Sequence, residues 1–360
     1  MKKPLLRWIR QFAGIFGVGI VSRKVYEALV FERLAREGGS GKSQSGKDVS
    51  ERPDAIESED TYRLPPAVPF PGLPDVDADT FRIHVVDVGA QPLASEQDVY
   101  MPLIRAGPCH VVGFDPFADP GLDRLNGQTV SAERTERPHV RILPYFIGNG
   151  SKARFHVNAF SPTSSLFPSN LKLMAEFSGL AEICATRSVA EVTTRRLDDV
   201  YEIESCDFLK IDVQGSDFDV IAHGSRLLDK TLFVHIEAEF AEIYTGQPLF
   251  SDIDVLLRSR NFELIDFVKL GRNNYKAFPS STLRSRLLWS DCIYMKNPAT
   301  MKDPCLLLRA AYIAHVNYRK YDLSAHLICL YDALAGTSLR DSYVETTRQR
   351  LLQALERTQG

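Results

Sequence analysis

Residues 207–224, DFLKIDVQGSDFDVIAHG, decide the fold that we expect for this chain. The apolar run at 208–213, broken by Lys210 and Asp212, predicts a buried parallel strand with a polar residue at its carboxyl end. Gly215 makes a turn, and the residues after it can cap a helix. Ligands of open α/β sheets bind outside the carboxyl ends of the strands, so Asp212 is expected to face a site; the alternative is a residue that only caps the helix.

The pattern of strands and helices extends outward from this stretch. Helical segments separate the first five strands, which predicts right-handed βαβ units and a parallel, Rossmann-like α/β sheet. The last two strands lack a helix between them and are expected to pair as an antiparallel hairpin. A turn at 148–150 has a hairpin signal before an accessory strand at 153–158. The seven main strands are expected at 82–90, 109–116, 140–147, 208–213, 231–238, 262–269 and 290–296.

Composition limits the classes of function. The chain has 360 residues and a net charge of -3, which argues against nucleic-acid binding as its main role because phosphate neutralisation needs a basic face. Its six cysteines are scattered without a CxxC pair or zinc-site spacing, so no metal site is expected. Such cysteines favour a reducing, cytoplasmic compartment.

The two ends of the chain differ from its middle. Residues 1–37 form a basic arm with an apolar part too short to span a membrane. Three interpretations stay open: a secretory signal, an amphipathic helix that lies on the inner face of a membrane through residues 1–24, or an arm that packs on the domain or a neighbouring subunit. Residues 38–79 are Gly/Ser/Pro-rich and expected to be a flexible linker, and 298–360 a helical C-terminal extension. The sequence does not determine the oligomeric state.

Polar residues at the strand ends indicate a nucleoside ligand. Gly89 lets the backbone approach a ligand closely, and Asp115 at the end of the second strand can accept hydrogen bonds from ribose hydroxyls. The alternative for Asp115 is a turn-forming residue before Pro116. Gln91 and Ala94 occupy the positions where a GxGxxG fingerprint needs glycines, so a pyrophosphate cradle is not expected.

Several motifs agree in order and spacing with one family. VDVGA, GFDP, RLDD, LKIDVQGSDFDVIAHG, HIEAEF and GQPLFSDID resemble the FkbM-type methyltransferases over residues 80–296. The resemblance implies a class I methyltransferase domain at 80–297, S-adenosylmethionine as the cofactor, and a seven-stranded sheet ordered 3-2-1-4-5-7-6 with strand 7 antiparallel. Two departures are Gln91-Pro92-Leu93, where a second glycine is usual, and Gln214, where glutamate is usual.

The resemblance also implies a cofactor site, residue by residue. It assigns Asp87, Gly89 and Ala90 to the methionine part, Asp115 flanked by Phe114 and Pro116 to the ribose, and Ile147 and Gly148 at the end of strand three to the adenine. Asp212 would face the sulfonium and the acceptor.

The candidates for proton removal from a hydroxyl acceptor are Asp212, Glu237 and His235. Glu237 lies nearest the crevice and is preferred, whereas His235 is expected to be a core histidine. The Ser-rich loop at 161–170 and the segment 244–247 are expected to close over the acceptor; the alternative for Tyr244 and Gln247 is that they only shape a turn.

Three functions remain as alternatives. The preferred one is O-methylation of a hydroxyl of a sugar, glycolipid or secondary metabolite, with a small-molecule or glycan acceptor. The second is a non-catalytic, methyltransferase-like scaffold. The third is a nicotinamide-dependent oxidoreductase, against which the missing glycines count.

Overall fold

The computed structural model describes residues 64–74, 76–90, 98–107, 109–116, 140–278 and 283–359. The expected N-terminal arm, most of the expected linker and the segment Gln91-Pro92-Leu93 lie outside these ranges. The strands are β1 (Ile83–Val88), β2 (Cys109–Phe114), β3 (Val140–Leu143), β4 (Phe146–Ile147), β5 (Lys152–Asn158), β6 (Thr186–Arg195), β7 (Phe208–Ile211), β8 (Phe233–Glu239), β9 (Phe262–Asn273) and β10 (Arg286–Lys296). The helices are α1 (Met101–Ala106), α2 (Leu171–Met174), α3 (Leu180–Ile183), α4 (Asp217–Ala222), α5 (Ser225–Lys230), α6 (Phe250–Ser259), α7 (Pro304–Val316), α8 (Tyr321–Ala335) and α9 (Leu339–Gln359).

The main sheet has seven strands in the order β3-β2-β1-β7-β8-β10-β9. The pairs from β3 through β8 are parallel, and β10 runs antiparallel to both β8 and β9. In terms of the seven main strands this is the order 3-2-1-4-5-7-6 with strand 7 antiparallel, so the prediction is confirmed. Every residue of β8 is buried, which is expected for a strand with neighbours on both sides and cover on both faces.

Each face of the sheet has its own hydrophobic core. One face presents side chains such as Val86 and Leu209, which pack with helices α4, α5 and α6. The opposite face presents Val85, Phe208 and Phe233, which are register partners across three strands. This second face packs against α7, α8 and α9, so the C-terminal helices complete the core of the sheet.

A polar contact fixes the C-terminal helices to the sheet. The Arg309 guanidinium of α7 donates to Asp207 Oδ1 over 2.8 Å, and the backbone N–H of His84 donates to Asp207 Oδ2 over 2.9 Å. The helical C-terminal region was predicted, and the shared core shows how it attaches. Across the described ranges, none of the helices combines the length and apolar character that a membrane crossing needs.

Residues 64–74, within the expected linker, pack against the C-terminal helices. Tyr321 Oη donates to Pro66 O over 2.6 Å, and His315 Nε2 lies 2.9 Å from Val68 O. Phe70 stacks edge-on against Tyr312 and His315. The helices therefore hold the carbonyls and the apolar side chains of this segment in place.

The expected strand at 140–147 is divided in the structure. β3 ends at Leu143, and β4 belongs to a separate three-stranded sheet ordered β4-β6-β5. Pro144 has no N–H to continue the ladder, which explains the break. The turn at 148–150 joins β4 to β5 without a hairpin, because β6 lies between these two strands.

Candidate active site

The carboxyl ends of β2, β1, β7 and β8 form a continuous rim. Val88 is the register partner of both Phe114 and Ile211, and Ile211 is the partner of Ile236. The next residue of each strand therefore lies level with its neighbours, which aligns Asp115, Gly89, Asp212 and Glu237 in one row. The structure thus brings the predicted residues of four separate strands to one edge of the sheet.

Gly89 is required by the close approach of β7 to β1. Its φ is +89°, and an added Cβ would lie 1.9 Å from the backbone O of Asp212. The Asp212 N–H donates to Val88 O over 3.0 Å, and the N–H groups of Gly89 and Ala90 both donate to Phe114 O. The glycine therefore fixes the three strand ends against one another.

Asp87 lies in β1, two residues before Gly89 on the rim, and its carboxylate already has polar partners. It is 2% exposed, Tyr100 Oη donates to its Oδ2 over 2.8 Å, and Lys210 Nζ lies 3.1 Å from its Oδ1. Lys210 Nζ also donates to Gly89 O over 3.0 Å. Both oxygens of the Asp87 carboxylate therefore already have polar neighbours, and its contact with the methionine part of the cofactor stays a prediction.

Lys210 keeps its charge despite its burial. Burial alone would lower the pKa of this ammonium, but the carboxylates of Asp87 and then Asp212 raise it above its ordinary value. A permanent cation therefore lies beneath the rim, between β1 and β7.

The β2 side of the rim offers a carboxylate beside apolar and aromatic side chains. Asp115 is 1% exposed, and its N–H donates to Leu143 O over 3.1 Å. The rings of Phe114 and Tyr145 are stacked with centroids 6.3 Å apart. Ile147 is buried in the same cluster as Phe114. A carboxylate can accept hydrogen bonds from ribose hydroxyls, and flat apolar side chains can pack against an adenine ring, so these residues fit the expected nucleoside.

Gly148 and Pro116, two of the predicted cofactor residues, are not among the four residues aligned on the rim. Gly148 follows β4 instead of strand three, donates its N–H to Arg195 O, and packs against Thr194 of β6. Pro116 is half-buried at the end of the described segment 109–116. Ile147 is buried in one hydrophobic cluster with Leu143 and Phe114, although β4 belongs to the second sheet.

Asp212 and Glu237 are joined by one side chain. Gln214 donates from Nε2 to Asp212 Oδ1 over 2.8 Å and to Glu237 Oε1 over 3.1 Å. The other oxygen of Glu237, Oε2, is buried and has no hydrogen-bond partner among the described residues. A buried carboxylate oxygen without a partner is costly, so it indicates a position where a ligand group can donate.

Burial is the largest influence on the pKa of Glu237. It raises the pKa of Glu237 well above its ordinary value, and the negative charges of Asp212 and Glu239 raise it further. Burial likewise raises the pKa of Glu239, with Asp217 as the largest charged neighbour. A carboxyl with a raised pKa is suited to accept a proton near neutral pH.

The two segments predicted to close over the acceptor do meet at the rim. Ser165 Oγ donates to Gln214 O over 2.5 Å. Tyr244 Oη donates to Gln214 Oε1 over 2.8 Å, and its fully buried ring lies against Gly215. Gln247 Oε1 accepts the Tyr244 N–H, which is the turn-shaping role that was kept as the alternative.

His235 lies in the core, as expected. It is 5% exposed, its Nδ1 is 3.1 Å from Tyr318 Oη, and its Nε2 is 3.7 Å from Asp291 Oδ2. The described residues contain no group of three or more metal-ligating side chains.

Sequence reasoning missed three residues of the site. Tyr100 sits in a turn before α1 and gave no signal. Lys210 was visible as a charge inside an apolar strand, and its period-two spacing from Asp212 places both on one face. Gln214 was noticed only as a departure from the family pattern.

Comparisons with known proteins assign this fold and site to a class. Residues 87–264 match the family model of the methyltransferase FkbM domain. The 2-O-methyltransferase NoeI of Sinorhizobium fredii (strain NBRC 101917 / NGR234) is 45% identical over 78 residues, which are 21% of this chain and 31% of that protein. The match therefore spans less than two thirds of the relative's length.

Two solved structures are distant neighbours. Methyltransferase FkbM from Methylobacillus flagellatus KT is 14% identical with a TM-score of 0.29, covering 59% of this chain and 43% of that one. Magnesium protoporphyrin IX methyltransferase from Synechocystis PCC 6803 with bound SAM is 13% identical with a TM-score of 0.30, covering 82% of this chain and 92% of that one. The assignment therefore relies on the family model.

The fold and the match identify residues 87–264 as an FkbM-type methyltransferase domain.

Proposed function

We propose that the chain transfers a methyl group from S-adenosylmethionine to a hydroxyl of a sugar, glycolipid or secondary metabolite. The observation that carries this proposal is Glu237 Oε2, a buried oxygen level with Asp212 on the rim that has no hydrogen-bond partner in the part of the chain that the structure describes. A hydroxyl acceptor must lose its proton, and this oxygen is placed to receive it.

Different residues of the chain contact the ribose, the adenine and the methionine part of the cofactor. Asp115 accepts the ribose hydroxyls, and Phe114 with Ile147 supplies the apolar surface for the adenine. Gly89 and Ala90 line the methionine side. The ion pair of Asp87 and Lys210 holds the turn at Gly89 in place. When bound, S-adenosylmethionine would supply a methyl group to the acceptor oxygen, with its sulfonium sulfur as the leaving group.

Catalysis rests on alignment and one proton transfer. The acceptor oxygen must lie about 3–3.5 Å from the methyl carbon, and the side chains that fix it supply most of the rate. Asp212 faces the positive end of the cofactor, where its charge favours binding. Glu237 accepts the hydroxyl proton.

The relative NoeI, named a 2-O-methyltransferase, supports a hydroxyl acceptor. The position of Ser165 and Tyr244 over Gln214 supports an enclosed acceptor site from which water is excluded. The acidic side chains around it suit a neutral or polyol acceptor more than an anionic one.

The test is methyl transfer with methyl-labelled S-adenosylmethionine. Wild-type protein is incubated with neutral glycans, glycolipids and hydroxylated small molecules, and labelled products are located by mass spectrometry. We expect label on a hydroxyl oxygen, and loss of label with Glu237→Gln. Label on nitrogen or carbon contradicts the proposal, and no product together with no cofactor binding favours the non-catalytic scaffold.

A further inference from the structure

Gln214 lies between β7 and α4, and its backbone is fixed from two sides. Its φ is +56°, a left-handed conformation that is uncommon for a residue other than glycine. The Asp217 carboxylate accepts the N–H of Gly215 over 3.0 Å, and Ser165 Oγ donates to Gln214 O over 2.5 Å. Such a conformation persists where the surroundings determine it, and it is often found at functional sites.

The side-chain amide of Gln214 uses both of its hydrogens on the candidate catalytic pair. Nε2 donates to Asp212 Oδ1 and Glu237 Oε1, while Oε1 accepts from Tyr244 Oη. Ionised carboxylates only accept hydrogen bonds, so these partners determine which end of the amide faces them. Both carboxylates and the closing tyrosine therefore depend on one neutral group.

We propose that Gln214 is a positioning residue whose amide holds Asp212 and Glu237 in one orientation and leaves Glu237 Oε2 to receive the acceptor's proton. This inference rests on the proposed methyl transfer. In that step the acceptor's O–H bond breaks and its proton moves to Glu237 Oε2. The acceptor oxygen bonds to the methyl carbon, and the sulfur keeps the electron pair of the broken C–S bond.

A neutral amide is suited to this place because the site is already acidic. Oxygens of Asp212 and Glu237 lie within about 6 Å of each other, since both contact Nε2. A third carboxylate between them would have to share a proton with the other two. The other titratable groups near this pair are Asp217 on α4, Glu239 on β8, Asp291 and Cys292 on β10, Lys210 on β7, and Tyr244, whose Oη donates to Gln214 Oε1.

The first test is Gln214→Glu, which keeps the shape of the side chain and adds a charge. The readout is a 13C NMR titration of labelled glutamate carboxyls in the chain without cofactor, with the Glu237 signal assigned from Glu237→Gln. We expect the Glu237 midpoint to rise by about one pH unit or more, a tenfold change in proton affinity. The control is Gln349→Glu on α9, where the side chain is exposed. In this variant the Glu237 midpoint should equal that of wild type. A wild-type midpoint in Gln214→Glu overturns the proposal.

The second test is Gln214→Asn, which suits the left-handed backbone but shortens the amide by one methylene. The shorter side chain cannot reach both carboxylates, so we expect kcat to fall about tenfold or more while the KM for S-adenosylmethionine stays within about twofold. An unchanged kcat in a folded variant overturns the positioning role. If wild-type protein transfers no methyl group, the proposed function fails, and the NMR titration still decides the role of Gln214.

Discussion

The ion pair of Asp87 and Lys210 beneath the rim gives the sharpest prediction about stability. Lys210→Met removes the cation that lies 3.1 Å from Asp87 Oδ1. Tyr100 Oη then remains as the hydrogen-bond donor to this buried carboxylate among the described residues. Charges at this distance attract by about 5 kcal/mol at an effective dielectric constant of 20. Breaking a buried pair by removing one partner costs about 3–5 kcal/mol in measured cases, and we expect Lys210→Met to lose about that much.

The assay is urea unfolding at pH 7, with two further variants. Lys152→Met removes a cation from an exposed pair with Glu191, 2.8 Å apart, and should lose less than about 1 kcal/mol. Asp87→Asn combined with Lys210→Met should be more stable than Lys210→Met alone, because no buried charge is left without its partner. If Lys210→Met loses less than about 1 kcal/mol of unfolding free energy, or if the double variant shows no recovery, the stabilising role of this ion pair is refuted.

Three other changes test the site and the C-terminal packing. Asp212→Ala should lower labelled methyl transfer by roughly a hundredfold or more while the urea midpoint shows a folded chain, and wild-type transfer would remove Asp212 from the mechanism. Burial, then Asp212, raises the pKa of Glu237 above its ordinary value of 4.5, so its contribution to stability is full below that pH and lost as the pH rises through the folded value. Glu237→Gln should therefore gain thermal stability relative to wild type as the pH rises from 4.5, and the reverse trend would contradict this. Burial lowers the pKa of His315 to about 4 from 6.5, so stability is present above pH 6.5 and lost as the pH falls toward 4. Urea unfolding measured between these pH values should show that wild type loses at most about 3 kcal/mol of unfolding free energy as the pH falls. The unfolding free energy of His315→Gln should depend less on pH, and an equal pH dependence in both proteins would contradict the role of His315.

The sheet and its rim could be predicted because both follow from local patterns. Apolar runs ending in Asp87 and Asp212, with glycine turns after them, indicate the strands and their carboxyl ends. Parallel strands share one edge, so residues far apart in sequence must meet there. Gly89 was readable for the same reason, since a turn at a strand end needs a left-handed residue.

The remaining features depend on side-chain reach, which sequence patterns do not encode. The Gln214 amide spans two strands because Asp212 and Glu237 happen to lie level, and a one-residue shift of register would separate them. The contacts of Asp87 with Tyr100 and Lys210 also join residues of separate elements, and no local sequence pattern indicates them.

Two errors in chain organisation have a similar origin. Pro144 divides what reads as one apolar strand, and the second half joins a different sheet. The proline-rich segment 64–74 reads as unattached because its partners, among them His315 and Tyr321, lie about 250 residues further along the chain.

The most direct test of the central claim is calorimetric titration of S-adenosylmethionine into the wild-type chain, Asp115→Ala and Asp79→Ala. Asp79 is an exposed aspartate paired with Arg82 outside the rim and serves as the matched control. Wild type and Asp79→Ala should bind alike, and Asp115→Ala should bind about 10- to 100-fold more weakly, since a charge-assisted hydrogen bond is lost. Equal binding by all three proteins, or no binding by wild type, would contradict the claim that the carboxyl ends of β1, β2 and β7 hold the adenosyl group.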